Sequence, residues 1–209
     1  VCFKVTDMPE LESGIDRCPP WRRNRFGPIA CAALMILYPV PAASAQPVSA
    51  PAPRGDGARD FDFEIGRWKT ELRRLRKPLA GSTEWVRYSG TTTVTEIWGG
   101  KANLVELEVE GPAGRLQALS LRLYNPETRE WSLNFASSAG GALAVPSVGA
   151  FRGSRGEFYN QETIGGRTVL VRFVISDIAP RSVRFEQSYS ADGGRSWEPN
   201  WIAVDTRLP

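Results

Sequence analysis

The chain has 209 residues, with 26 Lys+Arg against 23 Asp+Glu and no histidine. All three cysteines (Cys2, Cys18, Cys31) and both methionines (Met8, Met35) lie in its first 35 residues. Ser-His-Asp and Cys-His nucleophile systems and His-ligated metal centres are therefore excluded, and so even a charge balance argues against nucleic acid as a partner.

The N-terminal segment has the order of an export signal. Trp21-Arg22-Arg23-Asn24-Arg25 is basic, Pro28 to Pro41 is apolar, and Ala43-Ser44-Ala45 offers the small residues of a cleavage site. Residues 1–45 are accordingly expected to be a signal peptide, with the working protein starting near Gln46 and residing in the periplasm or outside the cell. The alternative is an uncleaved anchor, but the apolar run falls short of the ~20 residues a span needs, so no stable membrane span is expected after cleavage. The remaining chain has no cysteine. It must then be held by core burial without disulfides. Residues 46–59 are rich in Pro, Ala and Gly and read as a disordered linker, with order expected from Asp60.

From Asp60 to the C-terminus at residue 209 the chain reads as one β-domain. Asp60–Ile65 suits a single helical turn with Asp60 as its N-cap. Strands are predicted at Gly66–Arg74, Ser82–Trp98 (bent at Ser89-Gly90), Asn103–Glu110, Arg115–Tyr124 and Trp131–Ser137. Further strands follow at Ser147–Arg152, Glu157–Thr163, Thr168–Ser176, Ser182–Ser190 and Ser196–Thr206. The turns between them, such as Gly111-Pro112-Ala113-Gly114 and Asn125-Pro126-Glu127-Thr128, are too short for parallel crossovers. An all-β, antiparallel up-and-down barrel of eight to ten strands accounts for this order and leaves no free sheet edge. A β-sandwich is the alternative.

Gly66-Arg67-Trp68, at the head of the first strand, resembles the G-x-W signature of lipocalins and their calycin relatives. Together with Phe61–Ile65, Leu79–Trp85, Phe185-Glu186-Gln187 and Trp197–Trp201, it resembles a group of small exported bacterial lipocalin-like barrels over roughly residues 60 to 208. The resemblance implies a barrel with Trp68 packed across its closed end, and it implies fold rather than chemistry. Ser190–Trp197 (SADGGRSW) resembles the Asp-box S-x-D-x-G-x-[ST]-W of sialidases. Sialidases repeat that box around a propeller, whereas this chain has one copy, so a stiff hairpin turn built on Asp192 is the expected role.

No Walker or Rossmann glycine pattern appears, no acidic loop has EF-hand spacing, and no cofactor or metal is called for. Side-chain parity selects the interior. Val169, Val171, Phe173 and Ile175 should face inward, with Arg172 outside. Val183, Phe185, Gln187 and Tyr189 should face inward, with Glu186 outside and paired to Arg172. Leu119, Leu121 and Leu123 share a face with Gln117, which is expected inside, and Trp131, Leu133 and Phe135 form an aromatic-rich inward row. Trp197 and Trp201 are expected to share a face of the last strand, in competition with Ile202 and Val204 for the inside. The expected ligand-binding set is therefore Trp131, Phe135, Gln187, Tyr189, Gln117 and Trp201, around a small apolar or amphipathic molecule. A second reading is a cofactor-free enzyme moving protons with Glu84, Glu157, Glu162, Glu186 or Glu198 beside Tyr159, Tyr189 or Arg172. A solid barrel with a protein-facing role is the third.

Overall fold

A computed structural model describes Gly55 and residues 57–209, all within the compact unit Ser49–Pro209. The expected signal segment, 1–45, and most of the expected linker, 46–59, lie outside the described residues. The described part opens with a turn in which the Gly57 carbonyl accepts the Asp60 N–H (3.1 Å) and the Trp131 indole N–H (2.9 Å). A 3-10 turn follows at Asp62–Glu64. It begins after Phe61 rather than after Asp60, and no side chain caps it, so the Asp60 N-cap is not formed.

Ten strands then run in sequence: β1 Gly66–Leu75, β2 Trp85–Ile97, β3 Ala102–Gly111, β4 Gly114–Asn125, β5 Glu130–Ser137, β6 Ser147–Arg152, β7 Arg155–Ile164, β8 Arg167–Ala179, β9 Ser182–Ser190 and β10 Glu198–Arg207. A second 3-10 turn, Trp98–Gly100, lies between β2 and β3. Each strand pairs antiparallel with the next, and β10 returns to pair with β1, which closes the barrel. Every described strand therefore has two partners and none is left as a free edge strand, the shortest ladder being Trp131–Leu133 with Ser147–Gly149. β2 is continuous through Ser89-Gly90. Gly90 is needed there because a Cβ would sit 2.1 Å from the Glu108 carbonyl oxygen of β3.

One end of the barrel is packed solid. Trp68, Trp131 and Phe158 are fully buried there. Phe61 from the entry turn meets Trp131 edge-on at 4.9 Å and Phe151 at 5.1 Å. The Trp68 indole donates to the Glu64 carbonyl (2.6 Å), and the Arg207 guanidinium lies 4.1 Å over its ring. Arg207 also donates to the backbone carbonyls of Ile65 (2.9 Å) and Phe63. The plug is thus tied to both the first turn and the last strand, as the G-x-W resemblance implies.

The inward rows on β8 and β9 are as expected. On β10 the inside is taken by Trp201, Ala203 and Asp205, with Val204 outside and 41% exposed. A bulge between Pro199 and Trp201 separates Trp197 from that row. Trp197 instead packs outside the barrel under Arg172, whose guanidinium lies 4.4 Å from its ring. Arg172 is therefore not the partner of Glu186, which pairs with Arg184 along its own strand (2.6 Å).

β4 reverses the expected parity. Gly111 pairs with Gly114, which places Val109 opposite Leu116, Val105 opposite Ser120 and Asn103 opposite Arg122. Leu116, Ala118, Ser120 and Arg122 face in. Gln117 faces out, where its amide donates to Glu108 (2.9 Å), and Leu119, on the same outer row, is 39% exposed.

Candidate binding cavity

Above the aromatic plug the barrel is hollow. The inward positions at mid-height carry small side chains, among them Thr70, Thr92, Ala118, Ser120 and Ala203, and they leave a cavity of about 550 Å³. Its shaft is apolar, made by Val105, Leu107, Leu133, Phe173 and Phe185. Phe173 and Phe185 stack with ring centroids 6.2 Å apart.

The mouth is amphipathic. Phe135, 41% exposed, meets Trp201 edge-on at 6.5 Å, and Arg74 from β1 lies over the Trp201 ring at 5.3 Å. Tyr189 and Glu162 complete the rim. Burial raises the Tyr189 phenol above its ordinary pKa, the Glu162 charge adds to the rise, and Arg74 and Gln187 oppose it. The Gln187 amide donates to the Asn200 side-chain oxygen (2.9 Å), so it is held in place across the β9–β10 pair.

The floor is polar and deeply buried. Glu64 and Arg122 form a two-pronged ion pair at 2.5 and 3.2 Å, with side chains only 1% and 4% exposed. The Thr70 and Thr92 hydroxyls share a hydrogen bond of 2.6 Å. Asp205, directly across β1–β10 from Thr70, is 2% exposed, and its Oδ1 has no hydrogen-bond partner. Burial pushes the Asp205 carboxyl up to about 7, and the Glu64 charge pushes the same way, while the Thr70 and Thr92 hydroxyls and Arg122 act against it. All five side chains line the cavity.

Four of the six residues expected to bind ligand, Phe135, Gln187, Tyr189 and Trp201, gather at the mouth. Trp131 does not join them; its indole is spent on Gly57 inside the plug. Gln117 touches the cavity from β4, but its side chain is outside. The proposed acid–base residues are mostly outside too. Glu84 pairs with Arg76 (2.9 Å), Glu157 with Arg155 (2.7 Å) and Glu186 with Arg184, and Glu198 accepts the Leu79 N–H (2.6 Å). Only Glu162 of the five reaches the cavity. Among the described residues no cluster of three or more His, Cys, Asp and Glu could hold a metal ion, and no described helix is long and apolar enough to cross a membrane.

Sequence parity missed the floor. Arg122 is the lone charge on a β4 row that otherwise holds Leu116, Ala118, Ser120 and Tyr124, and Asp205 follows Trp201 and Ala203 on the inward row of β10. Those two charges were the available signal.

The Asp-box loop lies away from the cavity and is a rigid turn. Asp192 Oδ1 accepts the N–H groups of Arg195 and Ser196 (3.0 Å each) and the Ser190 hydroxyl (2.7 Å), and Oδ2 accepts the Ser196 hydroxyl (2.7 Å). These bonds, led by those from Ser196, hold the Asp192 carboxyl well below the usual carboxylate range.

The architecture is a closed antiparallel up-and-down β-barrel of ten strands. No family model and no curated protein matches the chain. Among solved structures, the protein Rv2717c of M. tuberculosis superposes with a TM-score of 0.50 at 12% identity, covering 73% of this chain and 98% of that one. The S-type phycobiliprotein lyase CPES of Guillardia theta gives 0.48 at 10% identity, over 72% and 92%. A de novo designed fluorescence-activating β-barrel gives 0.39 at 12% identity, over 74% and 100%. At 12% identity the likeness to Rv2717c shows a shared fold and leaves ligand and activity to the site itself.

Proposed function

We propose that this protein is an exported barrel that holds a small, largely apolar or amphipathic molecule in its cavity. The observation that carries this reading is the hollow: a cavity of about 550 Å³ with an apolar shaft, above a packed plug and opening at an aromatic rim. Volumes of this size are typical of small-molecule sites, which combine apolar walls with a few placed polar groups. Binding requires none of the nucleophiles the chain lacks. Export is supported by the order of basic, apolar and small residues before Gln46.

The test is a titration with decanol followed by tryptophan fluorescence, with Trp201 in the wall as reporter. Saturable quenching or a blue shift is expected. Ala118→Phe, which fills the shaft from β4, should weaken binding about tenfold or more, a loss of ~1.4 kcal/mol or greater. A non-saturable response, or one that Ala118→Phe leaves unchanged, would reject the cavity as the site.

A further inference from the structure

The cavity floor has a chemistry that the apolar shaft does not explain. It holds two carboxylates, Glu64 and Asp205, and one guanidinium, Arg122. Arg122 gives both terminal nitrogens to Glu64, and its Nε has no hydrogen-bond partner. Asp205 lines the cavity at 2% exposure, and its buried Oδ1 has no hydrogen-bond partner. A buried carboxylate costs several kcal/mol unless it is paired or protonated. Its neighbours cannot supply a counter-charge. β1 and β2 present Thr70 and Thr92, the register partner on β9 is Val183, β4 presents the committed Arg122, and the turn before β1 presents Glu64. Of the other cations lining the cavity, Arg74 lies at the rim over Trp201 and Arg115 pairs with Glu108.

Building on the cavity reading above, we infer that the floor accepts the protonated amine of a linear amphipathic ligand, with Asp205 Oδ1 as acceptor and counter-charge and the ligand's alkyl chain running up the shaft. An ammonium group has three donors and no acceptor. It matches a floor of two carboxylates against one guanidinium, whose open acceptor is a carboxylate oxygen and whose open donor, Arg122 Nε, belongs to a cation already neutralised by Glu64. The Thr70–Thr92 hydroxyl pair is within the same pocket wall to take a second N–H. A ligand carboxylate meets the opposite situation: its charge would face Asp205, and the guanidinium that could hold it is already neutralised by Glu64. The rim carries both signs, Glu162 and Arg74, so the preference for a cation is set at the floor.

The inference also sets a pH dependence. The Asp205 carboxyl titrates near 7 in the empty barrel, whereas an alkylammonium keeps its proton to about pH 10. Amine binding should therefore strengthen as pH rises from about 6 to about 8 by up to about tenfold, because less work is needed to ionise Asp205.

The experiment compares decylammonium, decanol and decanoate on the full-length chain and on Asp205→Asn, by tryptophan fluorescence. Asn keeps the size of Asp and removes the charge, and thermal unfolding of the variant checks that the barrel is intact. At about pH 8 the expected order is decylammonium tighter than decanol by about tenfold or more, with decanoate weakest. Asp205→Asn should bring decylammonium to within about twofold of decanol measured on the same variant, and abolish the pH dependence. Binding of decanol with no preference for the amine, a preference for decanoate, or an amine preference that survives Asp205→Asn would overturn the inference while leaving the cavity reading in place. Failure of all three probes to bind the parent protein would overturn both.

Discussion

The two ends of this barrel are built from the same ten strands and differ in what those strands turn inward. At the closed end the inward residues are Phe61, Trp68, Trp131, Phe151 and Phe158, and they fill the section completely. Further along the same strands the inward residues are Thr70 after Trp68, Thr92 before Val94, and Ala118 and Ser120 on the row that ends at Tyr124. Strand number and tilt fix the bore, so side-chain volume decides whether a section is core or cavity. The polar floor lies at the step between the two, where a charged group has the plug below it and open space above.

That contrast is most directly challenged by aromatic truncation. Trp68→Ala or Trp131→Ala should cost about 3–5 kcal/mol in urea unfolding, as truncations of large buried aromatics do. Phe135→Ala at the mouth should cost less than about 1 kcal/mol. Comparable losses at the two ends would mean that the mouth is packed as tightly as the plug.

The floor is sharpened by pH. Asp205 has its carboxyl raised to about 7 from 3.8, so the folded state holds a proton that the unfolded chain releases. Its contribution to stability is fully present below about pH 4 and is lost as pH rises through about 7, a change of up to about 4 kcal/mol. Asp205→Asn removes this slope. The difference in stability between parent and variant should therefore move in favour of the variant between about pH 4 and about pH 8 by urea unfolding, and a pH-independent difference would show that Asp205 is not desolvated.

Filling the hollow tests it from the opposite direction. Ala118→Phe should be tolerated at less than the ~1–3 kcal/mol that overpacking a filled core costs, because the new ring has empty space to enter. A larger loss in urea unfolding would place β4 against a solid interior.

The smallest effect belongs to the outer wall. Leu119→Ser should change stability by no more than about 0.5 kcal/mol, as exposed substitutions do. A loss in the range of a buried leucine, ~2–5 kcal/mol, would return the Leu119 row to the inside. On the loop outside the cavity, Asp192→Ala should speed amide exchange at Arg195 and Ser196, whose N–H groups the carboxylate accepts; unchanged exchange would show that other contacts hold the turn.

Local sequence determined the strands, because alternation with a period of two and Gly- or Asn-rich turns are properties of neighbouring residues. Ser147–Arg152 and Ser182–Ser190 have the bounds that alternation assigns, and most others shift by one to three residues at an end. The sequence also marked Trp68 as the plug, since a fixed place at the head of the first strand accompanies it. What it did not decide was which face of β4 points in. The apolar row Leu119, Leu121, Leu123 looks like a core face by composition, yet pairing of Gly111 with Gly114 forces the alternate row inward to match Val105 on one side and Phe135 on the other. Turn length, more than hydrophobicity, carried that information. Trp131 and Phe135 show the same division: both lie on one inward row of β5, and only the height of each in the closed barrel makes one a buried plug and the other a rim. The Glu64–Arg122 pair and the unpartnered oxygen of Asp205 arise from residues 58 and more positions apart, brought together by barrel closure. No local pattern encodes such a meeting, because the closing β1–β10 register exists only once the whole sheet has curled round.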